Sequence, residues 1–383
     1  MNLTSDVKML PGNNAGTNEG AAASSTLMTA EETRVEGRRV IKAFLQQHTC
    51  YDLIPRSGKV IVFDVDIPIK LCFYALVEHG VASAPLLDPT TNQFVGMFTA
   101  TDFIEIIRYF YKRGSFTEAI TDYSIHAWRS MKNNDAQIPS TLISLSTRGT
   151  LYEACMQMRE HKIHRMPIMH PRQNSVLGVA SHLDVLKYLV ARFQEERRLF
   201  DQCIFDLGIG QFRNVIIAKD NTPLIDVLEL FVDNRISSVP IVSASTGSLK
   251  DIYCSSYVTH LGRDTSPGAL QMPVGEVLSK ARANNEFGEI ENLHTCNKRE
   301  SLHNLFQCFA ASRSHRVVCV DEEGFCEGII SLSDLLNYFL DDDEVGEDAP
   351  GAKGGLQQST SPRALNSAPG FQGNGEMSID DSG

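Results

Sequence analysis

No apolar run in the 383 residues approaches the roughly 18 needed to cross a bilayer, so a membrane span is not expected. The opening residues, MNLTSDVKMLPGNNAG, have no basic stretch followed by an apolar one, so no secretory signal is expected either. The nine cysteines are odd in number and no two stand at CxxC spacing. That argues against a zinc or disulfide framework and for reduced, packed thiols in the cytoplasm or the nucleus. Catalytic signatures are missing as well. Gly208-Ile-Gly210-Gln-Phe-Arg213 lacks the last glycine and the Lys-Ser/Thr of a phosphate-binding loop, and neither G-x-S-x-G nor HExxH occurs. His161-x-x-His164 has no third ligand nearby, so no metal and no cofactor are expected.

Clustered basic charge is scarce too. The net charge is −12, but residues from Asp341 onward carry nine acidic and two basic groups, and residues 1–33 carry four and one. The stretch between them is close to neutral, which leaves no basic face for nucleic acid. Both ends are rich in small and polar residues and are expected to be disordered tails, over 1–33 and 341–383. Ser361-Pro362 in the second tail reads equally as a phosphorylation site or an unmodified linker.

What is present is a fourfold repeat. LVEHGVASAPLLDPTTNQFVGMFTATDFI (76–104), MREHKIHRMPIMHPRQNSVLGVASHLDVL (158–186), FVDNRISSVPIVSASTGSLKDIYCSSYVT (231–259) and AASRSHRVVCVDEEGFCEGIISLSDLL (310–336) share one pattern. Their anchors Pro85, Pro167, Pro240 and Val318 lie 82, 73 and 78 residues apart. From each anchor to one later position, occupied by Asp in three copies, is 17, 17, 17 and 16 residues. Periods this long suit small domains used four times, at 50–112, 135–192, 207–262 and 288–340.

Each unit reads as helix, strand, strand, helix. In the first, Pro68–His79 has apolar residues at helical spacing and Gly80 to stop it; SAPLL and FVGMF read as strands around a polar turn. Thr99 offers an N-cap to a second helix, and Val60–Val65 reads as an extra strand upstream. Residues 114–131 read as a linker helix. No unit is large enough to stand alone, so pairing into a mixed α/β assembly is expected.

Two constellations carry chemistry. The strand-to-helix junction repeats hydroxyls and a carboxylate: Thr99, Thr101 and Asp102; Ser181 and Asp184; Ser331, Ser333 and Asp334. A helix N-terminus attracts phosphate, and a carboxylate one turn in accepts from the two hydroxyls of a ribose. A single copy reads as an ordinary capping box; three at equal distance from the anchors point to a ligand. The second constellation is basic: His164-Arg165 and His315-Arg316 occupy the same helix-to-strand turn, and the third unit has Arg235 followed by Ser237. Arginine offers a planar fork to phosphate, and recurrence at one repeat position suggests a shared anion where a lone pair would suggest surface salt bridging.

The segments CYDLIP (50–55), HKIHRMP (161–167), DIY (251–253) and SHRVV…GIISLSDLL (314–336) resemble the γ regulatory subunits of AMP-activated protein kinase, built from four tandem CBS repeats paired into two Bateman modules that form a pseudo-symmetric disc. The resemblance runs from about Cys50 to Phe339. It implies a non-catalytic sensor of energy state that binds AMP, ADP and ATP and sits in a heterotrimer with a catalytic α and a scaffold β subunit. It implies that Asp102 and Asp334 meet ribose, that His164, Arg165, His315, Arg316 and Arg282 meet phosphate, and that Thr99, Thr101, Ser331 and Ser333 stand beside the nucleotide.

Four positions depart from that family as known in animals. Tyr257 stands where the third repeat has its ribose aspartate; Ala82 and Leu183 replace an arginine and a lysine; Asp184 replaces an arginine. The second ribose site is therefore expected to be usable and the third lost. A scaffold subunit with reduced or lost nucleotide response is the alternative these departures raise.

Overall fold

The computed structural model describes residues 29–56, 59–114, 121–133, 142–193, 200–262, 267–283, 293–312 and 315–341. Most of both expected tails, Ser361-Pro362 included, and part of the 114–131 linker lie outside the described residues. No described helix is long and apolar enough to cross a membrane.

One three-stranded sheet recurs four times, each with a short strand parallel to the middle strand and an antiparallel hairpin beyond it. The first repeat comprises β1 (Phe63–Asp64), α2 (Ile69–Glu78), β2 (Ser83–Asp88), β3 (Gln93–Thr99) and α3 (Ala100–Tyr111). The second has β4 (Leu145–Ser146), α5 (Leu151–Glu160), β5 (Arg165–Met169), β6 (Val176–Ser181) and α6 (His182–Arg192). The third has β7 (Ala218–Lys219), α7 (Leu224–Asn234), β8 (Ser238–Val242) and β9 (Leu249–Cys254), followed by α8 (Pro267–Gln271) and α9 (Val274–Ala283). The fourth has β10 (Thr295–Cys296), α10 (Leu302–Ser312), β11 (Arg316–Val320), β12 (Cys326–Ser331) and α11 (Leu332–Leu340). The extra strand expected over Val60–Val65 is only β1, and the described part of the linker helix is α4 (Ile125–Asn133).

Hairpin register explains the spacing. Ser83 pairs with Thr99, Arg165 with Ser181, Ser238 with Cys254 and Arg316 with Ser331. A register shift follows one residue beyond every anchor, between Leu86/Leu87, Ile168/Met169, Ile241/Val242 and Cys319/Val320. The fourth hairpin has one residue fewer in its turn, so both of its ends keep their place. The basic residue and the hydroxyl-bearing cap are therefore neighbours across the hairpin in the second and fourth copies.

Pairing is set by two cores. The first joins the first and third repeats, burying Phe73, Leu86, Phe103 and Ile107 with Leu228, Val239, Tyr253 and Val258. The second joins the second and fourth, burying Met166, Leu186 and Leu189 with Phe309, Val317, Leu335 and Phe339. Strand turns close the other two contacts: Asn174 Nδ2 donates to Asn92 O, and Leu249 N–H to Gly324 O at 2.8 Å. The repeats thus form a ring in the order first, second, fourth, third.

An unforeseen helix, α1 (Ala30–Gln47), starts in a capping box, Thr29 N–H to Glu32 Oε2 at 2.8 Å and Glu32 N–H back to Thr29 Oγ1 at 3.2 Å. Residues 30–33, assigned by composition to a disordered tail, are its first turn. It buries Ile41 and Leu45 in the second core, and Cys50, the first residue of CYDLIP, joins the same core rather than that of the first repeat.

The third repeat breaks the pattern at the expected place. Cys254 and Tyr257 stand where the other copies have the capping hydroxyl and carboxylate, and a 3-10 helix (Ser255–Gly262) replaces the α-helix that begins there elsewhere. Neither Cys254 nor Tyr257 offers the hydroxyl and carboxylate from which a reciprocal capping box is built. Tyr257 is buried and meets Tyr253 edge-on at 5.6 Å between ring centres.

Candidate functional site

The three remaining junctions fold alike. Thr99 N–H and Oγ1–H donate to Asp102 Oδ2 at 2.8 and 2.6 Å, and Asp102 N–H returns to Thr99 Oγ1. Ser181 donates to Asp184 Oδ2 at 2.9 and 2.6 Å, and Ser331 to Asp334 Oδ2 at 2.8 Å twice. Each carboxylate is an N3 capping partner through one oxygen, so the capping reading holds in all three. At Asp102 burial pushes the carboxyl up, against its two bonds from Thr99 and the charge of Arg129. That arginine, on α4, braces β3 by donating to Val95 O at 3.0 Å and Met97 O at 3.1 Å.

The basic turns converge. Arg165 Nη2 lies 3.5 Å from His315 Nε2, linking the second repeat to the fourth. Arg316 donates through Nη2 to Ser237 Oγ, bringing in the third. Ser333 Oγ, at the start of α11, lies 3.2 Å from His164 Nδ1 and 3.3 Å from His182 Nδ1. Burial, then Arg316, Arg165 and His315, pushes His164 down to about 4. Burial, then His164, His315 and Arg165, pushes His182 down to about 3. Both rings are neutral at pH 7 because a proton there would be desolvated, beside Arg316 and Arg165 at His164 and beside Arg165 at His182.

Six of the sequence-derived residues therefore meet: His164, Arg165, Ser237, His315, Arg316 and Ser333. Ser181 and Asp184 flank this cluster through His182, and Ser331 and Asp334 through Ser333. Others stand apart. Thr101 is exposed on α3. Arg235 is the exposed, left-handed C-cap of α7 (φ 53°). Arg282, carried over as a phosphate arginine, pairs with Asp251 of β9 through Nε–Oδ2 at 2.9 Å and Nη2–Oδ1 at 2.5 Å. In the first repeat Ala82-Ser83 fills the place of His-Arg, and the buried Ser83 Oγ has no hydrogen-bond partner among the described residues.

Sequence reasoning missed His182. Its signal was a histidine in one copy where the matching residues, Ala100 and Leu332, are buried and apolar.

The CBS domain family is matched over residues 138–191, 209–252 and 287–341, which span the second, third and fourth repeats. The 5'-AMP-activated protein kinase subunit gamma of Dictyostelium discoideum is 38% identical over 315 residues, 80% of this chain and 54% of that protein. Subunit gamma-3 of Homo sapiens is 34% identical over 314 residues, 81% of this chain and 62% of that protein. The chain belongs to the CBS-repeat family of AMP-activated protein kinase gamma subunits. It spans about half to three-fifths of the length of the gamma relatives it matches. The fold is shared with the Methanocaldococcus jannaschii protein MJ1225, proposed as an archaeal homolog of g-AMPK, at a TM-score of 0.58 and 20% identity over 76% of this chain and 99% of that one.

Proposed function

We propose that this chain is a non-catalytic, adenine-nucleotide-binding regulatory subunit of a protein kinase heterotrimer, joined to a catalytic α and a scaffold β subunit. AMP, ADP and ATP are its ligands, and the cytoplasm and the nucleus its locations. One observation carries the reading: His164, Arg165, Ser237, His315, Arg316 and Ser333, from three repeats, gather where the helix N-termini of α6 and α11 also begin. Two guanidinium groups, Arg165 and Arg316, held close together in a folded protein are stabilised by an anion between them. Ribose hydroxyls are assigned to the second oxygen of Asp102, Asp184 and Asp334. The third repeat is left out, because Tyr257 offers no carboxylate.

A nucleotide regulates only if it binds two states of the assembly unequally. Its phosphate touches the second, third and fourth repeats at once, so it favours the arrangement in which those repeats are closed on each other. Calorimetric titration of the purified chain with AMP and ATP tests this. Micromolar to millimolar binding is expected, and no heat with millimolar ligand rejects nucleotide sensing. The scaffold reading is favoured by Ala82, Leu183 and Tyr257. It expects capture of α and β subunits that neither nucleotide nor Asp334→Ala alters, whereas sensing expects both to change kinase output.

A further inference from the structure

Ser333 Oγ has one hydrogen to donate and stands between two imidazole nitrogens, His164 Nδ1 at 3.2 Å and His182 Nδ1 at 3.3 Å. The two rings meet nearly edge-on, 5.5 Å between centres. With both rings neutral, the hydroxyl donates to one Nδ1 and accepts from the other, so one ring carries its proton on Nδ1 and the other on Nε2. The three groups are a short hydrogen-bonded chain that already holds one of its two imidazole lone pairs on the hydroxyl.

The groups that face this chain come from every element around it. Arg165 lies on its own repeat, beside His164; His315 directly precedes β11 and Arg316 is its first residue. Asp184, the acid nearest in sequence to His182, is tied through Oδ2 into the Ser181 capping box. The side chains that act on the two rings are thus all basic, and no carboxylate is among them.

From this arrangement we propose that His182 belongs to the phosphate site and that the His164–Ser333–His182 chain takes up a proton when a nucleotide phosphate binds. This rests on the nucleotide-binding reading and adds its regulation by pH. The step balances simply. A proton from solvent adds to the Nδ1 lone pair that Ser333 had filled. That ring turns from acceptor to donor, Ser333 Oγ accepts from both Nδ1–H groups, and its own O–H swings out to a phosphate oxygen. Phosphate brings about −1.5 to −2 charges to a basic cluster, which offsets the repulsion that, after burial, keeps the rings neutral. Histidine is the side chain whose ordinary ionisation range lets such a change occur near pH 7.

Binding of AMP measured calorimetrically at pH 7.5 in buffers of different ionisation enthalpy tests it on the full chain. The observed enthalpy should vary with the buffer in the sense of net proton uptake. The phosphate's own second ionisation, near about pH 6, contributes release and so the opposite sign. If one proton accompanies each AMP, affinity tightens by about tenfold per pH unit as pH falls from 8 to 7. Adenosine, with no phosphate, should show no uptake. His182→Leu places in the second repeat the residue the fourth already has at that position, and it should reduce the uptake and flatten the pH dependence. AMP binding with equal enthalpy in all buffers, or with net release, overturns the proposal while leaving nucleotide binding intact. Unchanged uptake in His182→Leu removes His182 from it. Absence of AMP binding in every buffer instead overturns the nucleotide reading itself.

Discussion

Arg165 Nη2 stands 3.5 Å from His315 Nε2 although 150 residues of chain separate them. Arginine has no lone pair to offer, so any hydrogen bond in this contact runs from the guanidinium to the imidazole. The second and fourth repeats thus meet through a cation and an imidazole rather than through opposite charges. Their shared apolar core, with Val317 and Leu186, holds that contact together. Folding energy from the core is what assembles a cationic centre that electrostatics alone would disperse.

Arg316 acts on phosphate, so Arg316→Ala should weaken AMP and leave adenosine nearly unchanged. A hydrogen bond to a charged group contributes about 1.5–3 kcal/mol, which corresponds to a loss of roughly 10- to 150-fold for AMP. Competitive titration of both ligands measures it. Equal losses for the two would mean that the mutation had disturbed the ring of repeats, through the bond to Ser237, rather than the phosphate contact.

Acid should destabilise the nucleotide-free protein in a defined window. His164 is pushed down to about 4 in the folded chain, against an ordinary value of about 6.5 when unfolded. The unfolded state binds the extra proton first, so stability is full above pH 6.5 and falls as pH drops toward 4. At pH 5.5 the loss from His164 alone is about 1.4 kcal/mol, and His182 adds to it in the same direction. Urea unfolding at pH 7.5 and 5.5 reads this directly, and His164→Asn should flatten the difference. A stability that does not change between those two values would contradict the buried, neutral state of both rings.

Tyr257 should prove a packing residue and not a ligand contact. It is buried against Tyr253 in the core that joins the first and third repeats. Tyr257→Ala should cost about 3–5 kcal/mol, the loss typical of truncating a large buried aromatic. Thermal unfolding with and without AMP separates stability from affinity. A variant of native stability with weakened AMP binding would reverse the assignment.

The hairpins were legible in the sequence because Pro85, Pro167 and Pro240 mark a constant place in strands whose two ends must meet. Fixed register converts equal spacing into equal geometry, so the junctions at Thr99, Ser181 and Ser331 came out as read. Helix α1 was not legible. Its charged surface hides two buried residues, Ile41 and Leu45, whose burial depends on a core supplied by repeats more than a hundred residues later. His182 escaped for the same reason, since its partner Ser333 lies 151 residues away. Arg282 was placed on phosphate by alignment, yet an acceptor closer in space, Asp251, takes its fork. Local pattern identifies what a residue can do; the pairing of the first repeat with the third and the second with the fourth decides what it meets.

Asp184 decides whether the second junction binds ribose or only caps α6. Both of its bonds from Ser181 fall on Oδ2. A carboxylate can accept at both oxygens, so capping and ribose recognition do not compete for the same atom. Asp184→Asn keeps an acceptor for Ser181 and should leave stability within about 1 kcal/mol, the usual worth of a cap. It removes the charge that strengthens bonds from two hydroxyls, so AMP at one class of site should weaken by roughly tenfold, from a loss of at least about 1.4 kcal/mol. AMP lacking both ribose hydroxyls should bind the wild type and the variant alike. The same substitution at Asp102 and Asp334 should act on separate classes of site, and Tyr257→Phe on none. A variant at Asp184 that loses stability but keeps its full AMP affinity would reduce that carboxylate to a cap and leave the second repeat to supply His164, Arg165 and His182 alone.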